Sequence, residues 1–316
     1  MQEIAVIIPC YNEEKTIIKA IAEIHSVLPQ AQICVFDNNS SDDGKALVER
    51  EISQLTQKGE SYLSLYSVTT QGKGAVMADA FALIDAKIYV MIDADLQYSS
   101  EILPEALEHF RTHSLDMLNI ARVPIDNSVH RRFHSFGNIL FSRFANVLFG
   151  IRFIDLFSGY RILSYPFVKS FPAQSRGFEI ETELSIFALQ TRLRLDEIQA
   201  PYRPRIDGSI SKLHTFKDGF KILAMMIRML FTERPLLVFG ILSMLCFVFA
   251  LILGVPIAQE FIATQKVPRF PSAFVCVGFG IVGVVLGIAG LLSYLITCNT
   301  KEMRRFAYLA NRKAVE

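Results

Sequence analysis

An apolar run ends in two aspartates one residue apart in Val90-Met91-Ile92-Asp93-Ala94-Asp95-Leu96-Gln97. A strand that stops this way presents hard oxygen ligands at a sheet edge. Mg2+ typically takes one or two such carboxylates and completes its sphere with substrate phosphates. A divalent cation held so, Mg2+ or Mn2+, acts as a Lewis acid on a departing diphosphate. Gln97 adds a neutral ligand or orients a water. Asp-Ala-Asp also reads as a plain strand-end turn, so the pair gains meaning only from its neighbours.

Three further polar clusters follow apolar runs. They are Pro9-Cys10-Tyr11-Asn12-Glu13, Asp37-Asn38-Asn39-Ser40 and Gln71-Gly72-Lys73-Gly74. The carboxylates of Glu13 and Asp37 accept hydrogen bonds from N–H and O–H groups, which suits a nucleobase or ribose. Gly72 and Gly74 allow close backbone approach to a ligand, and Lys73 can meet a phosphate. Each cluster alone reads as a turn or helix cap; all four in this order point to a nucleotide site. The spacing is not that of a GxxxxGK[ST] loop, and no GxGxxG follows the first run.

The elements that must position these residues alternate. Ile4–Ile8, Ile33–Phe36, Leu63–Val68, Ile88–Ile92 and Met117–Ile120 read as strands. Glu13–Leu28, Asp43–Gln57, Gly74–Asp85, Glu101–Arg111 and Glu179–Gln190 read as helices. In the first helix Ile17, Ile18, Ile21, Ile24 and Leu28 form one apolar face. Strands apolar throughout, separated by helices, predict a mostly parallel sheet covered on both faces. Ligands then gather at the carboxyl ends of the strands. Residues 121–160, rich in Arg, Phe, His and Gly, read as a helix plus loops over one sheet edge.

No charged residue occurs from Pro235 to Gln259 or from Pro271 to Thr300. A spanning helix needs about 20 apolar residues, so each stretch suffices. The chain's hydrophobic fraction is 51%, and its excess is concentrated after Arg234. Lys217, Lys221, Arg228 and Arg234 precede the pair and Lys301, Arg304, Arg305, Arg312 and Lys313 follow it. The positive-inside rule then puts both termini in the cytoplasm, in a protein of the cytoplasmic (inner) membrane with two spans. Lys212–Phe231 mixes bases with large apolar residues, the composition of a helix lying among headgroups or of a buried amphipathic helix. The expected division is a catalytic domain at 1–205, an interfacial segment at 206–234, a transmembrane hairpin at 235–300 and a basic tail at 301–316. Gly278, Gly280, Gly283, Gly287 and Gly290 permit close helix approach and, with it, self-association into a homo-oligomer. The spans carry no ionisable residue, which argues against a transport pathway.

The net charge of +1 gives no global field for nucleic acid. The five cysteines form no CxxC pair, which fits reduced thiols in a cytosolic catalytic part. Ile4–Ile8 is too short for the apolar region of a signal peptide. His109 and His113, four apart, read as a solvated helix face rather than a zinc pair.

Val6-Ile7-Ile8-Pro9-Cys10-Tyr11-Asn12-Glu13-Glu14, Asp37-Asn38-Asn39-Ser40-Ser41-Asp42, Gly72-Lys73-Gly74 and Asp93-Ala94-Asp95-Leu96-Gln97 resemble glycosyltransferase family 2. The resemblance covers residues 3 to 232. It implies a GT-A fold, a Rossmann-like α/β sheet, and inversion at the anomeric carbon. Asp93-Ala94-Asp95-Leu96-Gln97 and Asp155-Leu156-Phe157-Ser158-Gly159-Tyr160-Arg161 are similar to the dolichyl- and polyprenyl-phosphate glycosyltransferases. Gly208-Ser209-Ile210-Ser211-Lys212-Leu213 resembles their Gly-x-Ser-Lys segment with one extra residue.

This resemblance implies a nucleotide-sugar donor bound by Pro9, Tyr11, Asn12, Glu13, Asp37, Asn39, Gly72, Lys73 and Asp93. It implies a cation on Asp93, Asp95 and Gln97. The acceptor is a polyprenyl phosphate, cradled by Arg122, Arg131, Ser135, Arg205 and Lys212. Asp95, Asp155, Arg122 and Arg131 carry the chemistry. Arginine meets phosphate bidentately; Arg131, Arg132 and His134 read equally as a solvated basic face. An acceptor already anionic needs no strong general base, so rate comes from orientation and charge neutralisation. Asp155 and Glu183 contact the sugar, balance the arginines or serve structure. Glu179 and Glu181 read as helix surface. A processive polysaccharide synthase of the same superfamily is the nearest alternative; its Gln-x-x-Arg-Trp motif is absent from a chain without tryptophan. A membrane-anchored nucleotide-binding subunit without activity is the other.

Overall fold

Residues with no polar side chain to satisfy form the centre of the molecule. Ile4 to Ile8 are buried on both sides of the first strand, β1 (Gln2–Cys10). The chain then alternates: α1 (Ile17–Val27), β2 (Gln32–Asp37), α2 (Gly44–Gln57), β3 (Leu63–Ser67), α3 (Lys73–Leu83), β4 (Ala86–Met91). In α1 the buried residues are Ile17, Ala20, Ile21 and Ile24, one stripe at helical spacing. A short 3-10 turn, Ser100–Ile102, leads into α4 (Leu103–Thr112), whose Leu103, Ala106, Leu107 and Phe110 repeat that stripe. Next come β5 (Met117–Pro124), β6 (Arg161–Ser164), α5 (Tyr165–Ser170), α6 (Ile180–Gln190) and β7 (Leu195–Tyr202). Two long helices end the chain, α7 (Pro235–Thr264) and α8 (Phe270–Lys313). The computed structural model describes residues 1–124, 143, 154–175, 177, 179–204, 227, 229–267 and 269–313.

The seven strands form one mixed sheet in the order β3-β2-β1-β4-β6-β5-β7. β1, β2, β3 and β4 are parallel, with Cys10 opposite Asp37 and Asp37 opposite Ser67. All four carboxyl ends therefore open on one edge. From β1 the chain steps outward to β2 and β3, then returns to β4 on the other side of β1. That reversal is where open α/β sheets bind ligands. β6 runs antiparallel to both β4 and β5, while β5 and β7 are parallel. All five strands read from the sequence are present. β6 and β7 carry no strand signal in the sequence: β6 is four residues long and begins with a charged one, and β7 is an edge strand holding Pro201. Most of residues 121–160 and of Lys212–Phe231 lie outside the described residues.

Two compact units divide the backbone: Met1–Asp218 with Arg304–Glu316, and Gly219–Met303. The second holds two helices long and apolar enough to cross a membrane. α7 has 30 residues, a length of about 45 Å at 1.5 Å per residue. The apolar windows of α7 and α8 are only 6% and 11% buried, unlike the core helices of a water-soluble fold. Within this unit the Ser243 hydroxyl donates to the Gly283 carbonyl at 2.7 Å. A Cβ on Gly290 would come within 2.8 Å of Phe239 Cβ, and one on Gly283 within 3.3 Å of the Phe247 ring. Those two glycines serve contact between helices of the same chain, whereas Gly278 and Gly280 have nothing within 4 Å among the described residues. The last turns of α8 belong to the first unit. Tyr308 is 1% exposed and donates to Asp116 Oδ1 at 2.8 Å, and Arg305 Nη1 donates to the Thr191 carbonyl at 3.0 Å.

Candidate active site

The loops after β1 and β2 lock together. Asn12 N donates to Ser40 Oγ at 3.1 Å and Ser41 N to Asn12 Oδ1 at 2.8 Å. Glu14 N donates to Asp42 Oδ2 at 2.8 Å and Asp43 N to Glu14 Oε2 at 3.2 Å. Asn12 and Asn39 both sit in the left-handed region (φ 53° and 60°), which asparagine tolerates better than most residues. Asp37 is buried at the end of β2 and receives Ser40 N at 3.4 Å. Its neighbour Asn38 joins β2 to the loop before α3: it donates to the carbonyls of Val68 (3.3 Å) and Thr70 (2.8 Å) and accepts from Gly72 N at 2.6 Å. Gly72, at φ 124°, takes a conformation other residues rarely adopt and starts α3 directly at Lys73.

Lys73 is where the sequence motifs meet. Its ammonium pairs with Asp93 Oδ1, just past β4, and with Glu181 Oε1 on α6 at 2.8 Å. Burial works against its charge, but Asp93 and Glu181 outweigh burial and hold its pKa above the ordinary lysine value. Gly159 covers the pair so closely that a Cβ there would stand 2.6 Å from Asp93 Oδ2 and 2.7 Å from Lys73 Nζ. Asp95 is buried, with Oδ1 accepting from Gln97 N at 3.2 Å. Between them Leu96 holds φ 59°, a strained conformation for leucine of the kind that collects at functional sites. The Gln97 side chain reaches the end of β7, donating to the Arg203 carbonyl at 3.2 Å and accepting from Tyr202 Oη at 2.9 Å.

On the other side of the edge, Asp155 and Arg122 form a two-point pair: Nε to Oδ2 at 2.6 Å and Nη2 to Oδ1 at 2.8 Å. The Arg122 guanidinium lies 5.5 Å from the centre of the Tyr202 ring. Glu197 of β7 holds the segment entering Asp155, accepting from Ile154 N (2.6 Å), Asp155 N (3.1 Å) and Asn119 Nδ2 (2.6 Å). Tyr98 accepts from Gly159 N at 2.9 Å, and burial pushes its hydroxyl up to about 12. Arg161 is fully buried and ties the segment down from beneath, donating to the carbonyls of Ser158 (2.9 Å) and Leu156 (2.8 Å) and to Ser185 Oγ (2.9 Å).

The structure thus gathers Asn12, Asp37, Asn39, Gly72, Lys73, Asp93 and Asp95 on one edge with their neighbours Pro9, Tyr11 and Glu13. It joins Asp155 to Arg122. Arg131, Ser135, Arg205 and Lys212 lie outside the described residues. Glu179 is exposed, but Glu181 is 4% exposed and the expectation that it lies on the helix surface is corrected. In Glu179-Ile180-Glu181-Thr182-Glu183 the acids repeat every second residue, which no single helix face can hold. One of them must turn inward, and Lys73 supplies its partner. Glu183 instead receives Ser175 N (3.0 Å) and Gln174 N (3.1 Å).

Among the described residues no group of three or more His, Cys, Asp or Glu side chains is placed to hold a metal. Asp93 and Asp95 fit a cation that takes two carboxylates and leaves its other positions to a ligand's oxygens, and Asp93 already holds a cationic group, the Lys73 ammonium. A cavity of about 550 Å³ beside Gln2, His25, Gln32 and Tyr62 lies at the amino ends of β1 and β2, on the opposite edge.

Comparison with known proteins gives a match to glycosyl transferase family 2 over residues 5–169. The glycosyltransferase AglJ of Haloferax volcanii is 25% identical over 97% of this chain and 98% of its own. A dolichyl-phosphate hexose transferase of the same organism is 25% identical over 73% of this chain and 96% of its own. Among solved structures, Mycobacterium tuberculosis glucosyl-3-phosphoglycerate synthase, in complex with Mn2+, UDP-glucose and phosphoglyceric acid, matches with TM-score 0.54 at 18% identity. The match covers 72% of this chain and 79% of that one, a likeness of fold.

Proposed function

The chain belongs to glycosyl transferase family 2, and from that premise we propose that it moves a sugar from a UDP- or GDP-linked donor to a polyprenyl phosphate, undecaprenyl or dolichyl, with inversion at the anomeric carbon. The reaction belongs at the cytoplasmic face of the inner membrane, with α7 and α8 as the two spans. The observation that carries this reading is the Lys73–Asp93 pair beside Asp95 at the strand-order reversal. A relative named for dolichyl-phosphate hexose transfer supports the acceptor class. The two apolar helices support a lipid acceptor, and a structural neighbour crystallised with Mn2+ and UDP-glucose supports the donor and the cation.

The residues divide the work as follows. Asp37 and Glu13 accept from the base and ribose, and the interlocked Asn12–Ser41 turn holds that end of the site rigid. Pro9, Tyr11 and Asn39 line it, and Gly72 lets the backbone approach the diphosphate. A divalent cation, Mg2+ or Mn2+, held through Asp93 and Asp95 with Gln97 beside them, supplies Lewis-acid neutralisation of the leaving diphosphate. Arg122, Arg131, Ser135, Arg205 and Lys212 bind the acceptor phosphate, and the two-point pair with Asp155 fixes how Arg122 presents its charge. The acceptor oxygen is already anionic, so the site orients and neutralises rather than removing a proton.

The test incubates purified full-length protein with a panel of UDP- and GDP-sugars and with undecaprenyl or dolichyl phosphate, with Mn2+ or Mg2+, and weighs the lipid product. A single sugar per lipid is expected. Chelation should abolish transfer, and Asp95→Asn should lower turnover by roughly a hundredfold or more while the protein stays folded and in the membrane. Normal transfer by that variant, or in excess chelator, overturns the cation's role; a polymeric product overturns the single-transfer reading.

A further inference from the structure

Lys73 and Glu181 lie in a space nearly closed to water, and Asp93 stands at its mouth. The side chains of Lys73 and Glu181 are 7% and 6% exposed, whereas that of Asp93 is 30% exposed. Glu181 Oε2 is buried and accepts no hydrogen bond within the described residues. One lysine thus faces two carboxylates, one closed off on α6 and one open at the sheet edge. On the Gly159 side the contact is close-packed, with no room for a Cβ. An ammonium resting on Asp93 Oδ1 opposes a dication approaching the same carboxylate, since like charges a few ångströms apart repel. A buried lysine that gave up a sole partner would be stranded, a costly state. The second carboxylate removes that obstacle.

Resting on the donor site proposed above, we propose that Lys73 is a tethered counter-cation that occupies Asp93 in the empty protein and yields it when cation and diphosphate arrive together. Glu181 is the positioning residue that keeps Lys73 paired during the exchange. The lysine turns from Asp93 to the incoming diphosphate without leaving Glu181. Cation and donor therefore bind as a coupled pair, and the empty protein holds the cation weakly.

Mn2+ binding to the full-length protein in detergent, followed by the paramagnetic resonance signal of free Mn2+, tests this without any turnover. Lys73→Met should bind Mn2+ roughly tenfold more tightly than wild type in the absence of nucleotide, and Mn2+ with UDP or GDP more weakly, a coupling of ordinary size. Glu181→Gln should differ: no gain in nucleotide-free Mn2+ binding, and a roughly tenfold loss for Mn2+ with nucleotide. A merely structural role would weaken both kinds of binding in both variants. Lys73→Gln, with a polar end, guards against misfolding of Lys73→Met and should show the same opposite signs. Nucleotide-free Mn2+ binding unchanged or weakened in both Lys73 variants overturns the exchange, as does an unchanged nucleotide affinity in Glu181→Gln. The two readings fail separately. Opposite signs in a protein that transfers no sugar to any polyprenyl phosphate support the exchange and sink the acceptor; wild type that binds no Mn2+–nucleotide sinks both.

Discussion

Gly159 shows how little room a charged contact leaves. A methyl group there would meet the carboxylate of Asp93 and the ammonium of Lys73 at 2.6 and 2.7 Å. Both are the far ends of side chains, so they can move aside without disturbing the sheet. Gly159→Ala should leave the thermal midpoint close to wild type and lower turnover by roughly a hundredfold, the usual penalty for an ångström of misplacement. Wild-type turnover would show that the pair tolerates displacement. The order of the four polar clusters made it legible that Lys73 and Asp93 share a sheet edge, where the structure pairs them. Glu181 was not legible. Its meaning depends on a lysine from a different helix, and local pattern suggests only a polar helix face. Gln97 is an intermediate case: its position beside the aspartates could be read, its bonds to Arg203 and Tyr202 could not.

At the scale of elements, the parallel half of the sheet followed from apolar runs separated by amphipathic helices. The antiparallel insertion of β6 did not, because the strand is only four residues long and starts with Arg161. That arginine is buried because the segment bearing Asp155 and Gly159 needs its carbonyls satisfied from below. β7 holds the same segment from the side through Glu197. Burial is the main influence on Glu197 and pushes its carboxyl above the ordinary glutamate value, against the hydrogen bonds it accepts. A raised value in the fold means that protonation favours folding. The contribution is fully present below the unfolded value of about 4.3 and is lost as pH rises through the higher folded value. The Glu197 contribution to wild-type stability should therefore fall across that window. Glu197→Gln, which cannot ionise, should lose less stability, as seen in thermal midpoints measured at intervals from acid to neutral pH. Parallel pH curves for the two proteins would remove Glu197 from the explanation.

At the scale of the whole chain, the sequence divides neatly at its uncharged stretches, and the basic residues after them read as a basic tail. From Arg304 onward the end of α8 is part of the unit built on the sheet. Arg304 donates to the Gln190 side chain, Arg305 lies over the Tyr308 ring at 5.2 Å, and the Tyr308 hydroxyl reaches Asp116. Asp116 immediately precedes β5 and also receives Arg194 N (3.0 Å) and the Ser164 hydroxyl (3.3 Å), so one carboxylate links β6, the residue before β7 and α8. Charge composition hid this, because the anchoring residue is a single tyrosine among arginines. Tyr308→Ala removes a buried aromatic ring and should cost about 3–5 kcal/mol. Tyr308→Phe removes only a hydroxyl from a carboxylate that keeps other donors and should cost about 1 kcal/mol. Hydrogen exchange in the full-length protein should report the difference where it arises, with β5, β6 and α6 exchanging faster in Tyr308→Ala and near wild type in Tyr308→Phe. Exchange in Tyr308→Ala equal to wild type would mean that the sheet is stable without the Tyr308–Asp116 anchor.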